Sequence, residues 1–190
     1  MHFLRKERNI KRRNHVLGLS VLELLIVLAA ITIVALVAIP NSTVLLEKYR
    51  LKTTETSLLK GLEIARKEAQ MRSTTVVVCP SSNGHTCRRD SNWNHGWVVF
   101  SDGNGNGTVQ DIELIKAFKA PHQRINIEAT GATESRAVFT ATGLISDQVT
   151  LTGRFKICMQ DSSASPRLVE VEPDGWVNPV RSHVEFCTAG

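Results

Sequence analysis

Several marks of catalysis are missing from this sequence. It has no glycine-rich phosphate loop and no dinucleotide fingerprint, which removes the common nucleotide-dependent classes. No Ser or Cys stands in a recognisable nucleophile setting. His85, His95, His122 and His183 fall in turn or loop contexts without a local catalytic signature. The four cysteines include no C-x-x-C knuckle, the usual mark of a structural zinc site. There is no internal repeat and no low-complexity linker, so a repeat array is excluded. No second long hydrophobic run follows Pro40, so the chain beyond it is expected to stay wholly outside the cytoplasm. These absences predict a protein that is not an enzyme.

What is present is concentrated near the start. Residues 19–39 are apolar except for Ser20, Glu23 and Thr32. At about 1.5 Å per residue, a helix over this run crosses a hydrocarbon core of roughly 30 Å. Upstream lies a basic leader with Arg5, Lys6, Arg8, Lys11, Arg12 and Arg13, opposed by Glu7 alone. An ordinary secretory signal has its small-residue cleavage site after the apolar region. Here the small residue, Gly18, comes before it. Cleavage after Gly18 removes the charges and keeps the hydrophobic helix. A bare membrane anchor explains neither the position of Gly18 nor the carboxylate of Glu23.

Glu23 has a chemistry of its own. An isolated carboxylate in lipid seeks a partner or a proton. Cleavage would free an amine at Leu19, a few residues away along the helix. Among parallel helices, the amine of one subunit can pair with Glu23 of the next and fix the axial register. A Glu this near a helix end can also snorkel to the headgroups.

The charge balance depends on the leader. The full chain carries 23 Lys and Arg against 18 Asp and Glu, with a pI near 9.2. The leader holds six of those bases and one of the acids, so the remainder is formally neutral. The basic pI therefore reads as positive-inside topology rather than affinity for nucleic acid.

After Pro40 the pattern changes. Val44, Leu51, Leu58, Leu62, Ala65 and Ala69 recur at helical spacing. Glu47, Lys48, Lys52, Glu55, Lys60, Glu63, Arg66 and Lys67 are assigned to the wet face. The helix is expected to run to about Met71, with a kink at Pro40. Strands are predicted at residues 74–79, 96–100, 113–118, 125–128, 137–140, 153–159, 168–171 and 180–186. The first is a β-branched run ending at Pro80. The fold class is α+β: a long N-terminal helix, membrane stem plus amphipathic half, packed on an antiparallel β-sheet or sandwich.

Four cysteines in an exported domain predict disulfides. Of three connectivities, Cys79–Cys87 and Cys158–Cys187 are favoured. The first brackets a short turn and the second ties the C-terminal segment to an earlier strand. The rival is a metal site using Cys79, Cys87, His85 and His95. A separate pattern begins at Asp102. Asp102, Asn104, Asn106 and Glu113, with Gly107 between them, fit the calcium-loop pattern Asp-x-[Asp/Asn]-x-[Asp/Asn]-Gly-x₅-Glu, with Asp111 nearby. The other reading is an Asn/Gly hairpin loop that needs its glycines for positive φ.

Two stretches carry a family resemblance. Gly18-Leu19-Ser20-Val21-Leu22-Glu23-Leu24-Leu25 resembles the leader junction of type IV pilins and type II secretion pseudopilins. The resemblance implies that a prepilin peptidase cuts after Gly18 and methylates the new N-terminus. The family's first mature residue is most often Phe, and here it is Leu19. Its fifth mature residue is Glu, matched by Glu23, and its stem proline is matched by Pro40. Trp93-Asn94-His95-Gly96-Trp97-Val98-Val99-Phe100-Ser101-Asp102, with Cys79-Pro80 and Cys187, is similar to the GspH/FimT branch of minor pilins and pseudopilins. That resemblance implies a pilin-like fold, with residues 1–18 as leader, 19–40 as transmembrane and assembly helix, and 41–190 as extracytoplasmic domain. It implies inner-membrane insertion before assembly, and a pilus or pseudopilus shared with other pilins afterwards. Its expected work is to initiate or cap the fibre.

Some members of the branch bind DNA through a C-terminal Gly-Arg-x-Arg pattern. The comparable place here reads Gly175-Trp176-Val177-Asn178-Pro179-Val180-Arg181, with a different arginine spacing. The alternative function is a fibre-tip DNA receptor, with Arg88, Arg89 and Arg181 as phosphate contacts and Arg154 and Arg167 as further candidates.

Overall fold

A computed structural model describes residues 20–146, 152–162, 164–180 and 187, without the side chains of 36–42. The chain divides into two compact units, Met1–Ser42 and Thr43–Gly190. One helix, α1 (Val21–Arg72), contributes to both. Ser20 opens it: the hydroxyl accepts from the Leu22 amide at 3.3 Å and the carbonyl from the Leu24 amide at 3.1 Å. Ser73, at φ 50°, ends it in the left-handed region, and the Thr74 amide returns to the Ala69 carbonyl at 3.1 Å. The expected kink at Pro40 falls on residues whose side chains are outside the description.

In the second unit the helical periodicity holds from Leu51 onward. Leu51, Leu58, Leu62, Ala65 and Ala69 are buried in the core. Val44 was expected to join them, but it is exposed, because the packed face begins only at Leu51. Glu55 was assigned to the wet face and is buried. Lys52 Nζ holds its carboxylate at 2.9 Å, the partner that such a charge requires. Glu47 is also drawn in. It accepts from Arg124 Nη1 at 3.3 Å and from Ser162 Oγ at 2.7 Å.

The strands are β1 (Val76–Pro80), β2 (Gly96–Ser101), β3 (Leu114–Lys119), β4 (Ile125–Thr130), β5 (Ala137–Phe139), β6 (Gly153–Met159), β7 (Arg167–Val171) and β8 (Val177–Val180). They form two four-stranded antiparallel sheets, ordered β3-β2-β1-β5 and β4-β6-β7-β8. Pro80, expected to stop β1, is its last residue and lies opposite Trp97. Proline is tolerated there because β5 pairs only with Val76–Val78, so no ladder bond is lost on that side. The strand expected at 180–186 falls, apart from Val180, outside the described residues, and β8 was not anticipated. Pro179 stands in β8, opposite Val169, on an outer edge where proline is permitted. At the opposite kind of edge, β3 carries exposed Lys116 and Lys119, and its pairing with β2 shifts register at Val99/Phe100.

Alternation within the first sheet sorts its residues by face. Val76, Val78, Trp97 and Val99 face the main core with the helix seam and with Phe155, Ile157 and Val169 of the second sheet. Val77, Cys79, Val98 and Phe100 form a second cluster on the other face, covered by Cys87, Val109 and Leu114. Burial on both faces explains why β1 and β2 read as continuous apolar runs rather than alternating ones. The sheets meet at a 3₁₀ turn, Trp93–His95. Trp93 stands edge-on to Phe155 with centroids 4.9 Å apart, and its Nε1 donates to the Glu134 carbonyl at 3.1 Å. Asn94 accepts from the Ile127 amide at 2.6 Å. The result is an α+β fold, one long helix followed by antiparallel sheets.

Gly61 is where the helix lies against the Trp97 indole. A Cβ added there would stand 2.8 Å from Trp97 Nε1 and 3.3 Å from Phe118. The two rings are stacked, with centroids 5.5 Å apart, so neither yields easily. Ala in place of Gly gains about 0.8–1 kcal/mol of helix propensity, whereas overpacking costs about 1–3 kcal/mol. Gly61→Ala is therefore expected to lower the thermal midpoint despite the better helix former, as read by circular dichroism. An unchanged or raised midpoint would show that the indole can move aside.

Candidate functional site

The residues expected to carry function fall in three places. The first is the N-terminal part of α1. From Val21 to Val34 its large aliphatic side chains are 48–76% exposed. Two of the polar exceptions satisfy themselves: Ser20 opens the helix, and Thr32 Oγ1 donates to the Ala29 carbonyl at 2.8 Å. Glu23 lies in the first turn, where the helix dipole favours a carboxylate. Among the described residues it has no hydrogen-bond or ion-pair partner. Gly18 and Leu19 lie outside the described residues, and so does the Pro40 side chain. Among the described residues no helix is long and apolar enough to cross a membrane; this part of α1 is described with side chains only to residue 35.

The second place is the Cys79–Cys87 loop and its surroundings. The structure holds Cys79–Cys87 with a Cα separation of 5.6 Å and Cys158–Cys187 with one of 5.7 Å. With both sulfurs joined, Cys79 and Cys87 offer no thiolate to a metal shared with His85 and His95. Within the loop, Asn83 Oδ1 accepts from the amides of His85 and Thr86, and the Arg88 amide donates to the Pro80 carbonyl at 2.7 Å. Arg88 forks onto Asp90 through Nε at 2.7 Å and Nη2 at 2.6 Å. That bond holds the Asp90 carboxyl below its ordinary range and raises the Arg88 guanidinium above its own. The Asp90 side of the pair therefore protonates at a lower pH than a free carboxylate would.

Arg88, Arg89 and Arg136 line one pocket of about 450 Å³, together with Asn106–Val109. Arg136 was not legible as part of this group; it arrives because β5 docks beside β1. Of the other arginines considered for phosphate, Arg154 bridges to Glu170 at 2.6 Å, and Arg181 is outside the described residues.

The third place is the loop between β2 and β3. The Asp102 amide donates to the Thr75 carbonyl at 2.8 Å, and the Ser101 amide to the Glu113 carbonyl at 2.9 Å. These bonds bring the two ends of the loop together. Asn104 Nδ2 reaches Glu113 Oε1 at 2.9 Å, and the Gly107 amide reaches Asp102 Oδ2 at 3.1 Å. Gly107 has φ 66°, which a side chain would strain. Asp102 Oδ1 and Glu113 Oε2 are buried and have no partner. An unmet buried acceptor costs about 1–3 kcal/mol, more when charged. Among the described residues no group of three or more His, Cys, Asp or Glu could hold a metal. Any cation here would rely on two carboxylates plus amide and carbonyl oxygens.

One further cleft was not legible in the sequence. Tyr49, Trp97, Phe118, Pro121, His122 and Ile125 surround about 330 Å³. Trp97 and Phe118 meet as a cross-strand pair, a contact fixed by the register of β2 on β3.

Known proteins agree on the frame. The family model for "Type II transport protein GspH" matches residues 56–175. No curated protein matches the chain. Two crystal forms of the type IV minor pilin FimU from Pseudomonas aeruginosa (strain PAO1) share the fold. One has a TM-score of 0.54 at 16% identity, covering 71% of this chain and 91% of FimU. The other has 0.51 at 15%, covering 68% and 92%. With most of the folded unit under the family model, and the fold shared with a minor pilin, the chain belongs to the GspH family of pilin-like type II transport proteins.

Proposed function

We propose that this protein is a minor pilin or pseudopilin that helps initiate or cap a type IV pilus or a type II secretion pseudopilus. The observation that carries the reading is the exposed aliphatic surface from Val21 to Val34. Fully burying one such side chain is worth about 1.5–3 kcal/mol, so covering even half of this surface gains on the order of 10 kcal/mol. Lipid covers it before assembly and neighbouring stems cover it afterwards. In this reading residues 1–18 are the leader, 19–40 the membrane and assembly helix, and 41–190 the extracytoplasmic domain. Prepilin peptidase cuts between Gly18 and Leu19. The freed amine of one subunit pairs with Glu23 of the next, and Pro40 adapts the stem. The pilin-like family consists of structural subunits that associate with other pilins, and no feature of the site calls for catalysis.

The processing step is checked by mass spectrometry of protein extracted from membranes. The expected mass is that of a chain beginning at methylated Leu19; an intact basic leader would remove the proposal's first step. For the assembly step, Glu23→Ala is expected to keep membrane insertion, because losing a charge eases entry into lipid. Crosslinking to neighbouring subunits should drop about tenfold or more, the effect of losing a pair worth about 1.4 kcal/mol. Undiminished crosslinking would make Glu23 a bystander.

The DNA-receptor alternative draws support from the pocket where Arg88, Arg89 and Arg136 meet. Arg88 is already forked onto Asp90, which leaves two cations there. Two phosphate contacts give a slope of log K against log salt of about −1.8 on duplex DNA. Binding by the detergent-solubilised protein is therefore expected to be weak and to vanish near physiological salt. Tight binding that survives such salt and disappears in Arg181→Ala would favour the DNA receptor instead.

A further inference from the structure

We infer that the loop from Asp102 to Glu113 is a calcium site built into the β2–β3 hairpin. Two independent observations carry it. The first is order: Asp102, Asn104, Asn106, the Thr108 carbonyl and Glu113 stand at positions 1, 3, 5, 7 and 12 of a calcium-loop spacing, with Gly107 at the sharp turn. The second is the pair of orphaned oxygens. Asp102 Oδ1 and Glu113 Oε2 are both buried without a partner, while the other oxygen of each carboxylate is bonded within the loop. A glycine-rich hairpin that only needed to turn has no use for two desolvated, unmet carboxylate oxygens. A hard divalent cation resolves both at once, because it takes oxygen donors and neutralises the like charges.

The scaffold around the loop fits the assignment. Val109, at position 8, packs on the outer-face cluster with Val98 and Phe100, which anchors the middle of the loop to the sheet. The Glu113 and Leu114 amides both return to the Gln110 carbonyl, at 2.9 and 3.1 Å, and this turns Glu113 back towards Asp102. Calcium accepts six to eight oxygens in flexible geometry, whereas magnesium demands a near-ideal octahedron. The mixed set here, completed by water, therefore selects calcium. With two carboxylates only, and Arg136 Nη1 beside the place a Gly107 side chain would take, the affinity is weak. It falls in the range of extracellular modules, about 10⁻⁴–10⁻³ M. That range suits an exported domain, so the biological relevance rests on the proposed localisation. The binding itself does not, and it can fail or succeed independently of fibre assembly.

The test is thermal unfolding of the full-length protein in detergent, in calcium chloride, in magnesium chloride at equal concentration, and in chelator. Calcium at roughly ten times the dissociation constant should raise the midpoint by about 3 °C or more. Magnesium should raise it by clearly less. Glu113→Gln and Asp102→Asn should lose the calcium shift. Asp111→Asn should keep it, since Asp111 is 97% exposed at a position that does not ligate. Equilibrium dialysis of the unsubstituted protein with radioactive calcium should find one ion per chain, which decides the matter even if a variant fails to fold. No calcium uptake in dialysis, equal shifts with magnesium, or a full shift in Glu113→Gln would overturn the assignment.

Discussion

The folded unit depends on one contact, the seam of α1 from Leu51 to Ala69 against the inner faces of two sheets. The main core is shared, and neither sheet closes it alone. The first buries Val76, Val78, Trp97 and Val99 only because the helix and the second sheet lie over them. The second contributes Phe155, Ile157 and Val169 to the same cluster. Small residues make the approach close. Ala65 and Ala69 line the seam, and Gly61 leaves room for the stacked indole of Trp97. A helix forced away from that groove would open the cluster that holds Trp93, Trp97, Phe139 and Phe155.

Much of this was legible in the sequence, because local pattern and global fold agree. The seam follows from spacings of three, four and seven, and seven of the eight strands follow from β-branched and aromatic runs. What failed were positions ruled by tertiary contact. Glu55 reads as surface because periodicity cannot see Lys52 closing over it. Val44 reads as core because periodicity cannot show where packing begins. The strand expected at 180–186 lies almost wholly outside the described residues, and β8 went unread because Asn178 and Pro179 suppress the usual strand signal, although an edge tolerates both. At the sites, the two disulfides are the pairing favoured among three from the sequence, and the Asp102-to-Glu113 pattern is plain in the residue order. The approach of Arg136 to Arg88 and Arg89 does not, since it depends on β5 docking beside β1. Nor could the sequence reveal that one oxygen of Asp102 and one of Glu113 would be left buried and unmet.

The two units divide the physical problem between them. The second unit buries a main core and a smaller outer-face cluster, tied by two disulfides and by ion pairs such as Arg154–Glu170. The described helix of the first unit satisfies only its backbone and leaves its aliphatic side chains open. This GspH-family chain thus combines a unit with buried cores and a helix whose aliphatic side chains stay exposed. Among residues 21–35 the one ionisable side chain is that of Glu23.

The edges of the two sheets bear on how such chains live together. Open strand edges template pairing with other chains, the route to misassembly and cross-β aggregates. Here Pro179 removes a donor from β8, while Lys116, Lys119 and a register shift roughen β3. Along those two edges, backbone pairing with a neighbouring chain is disfavoured.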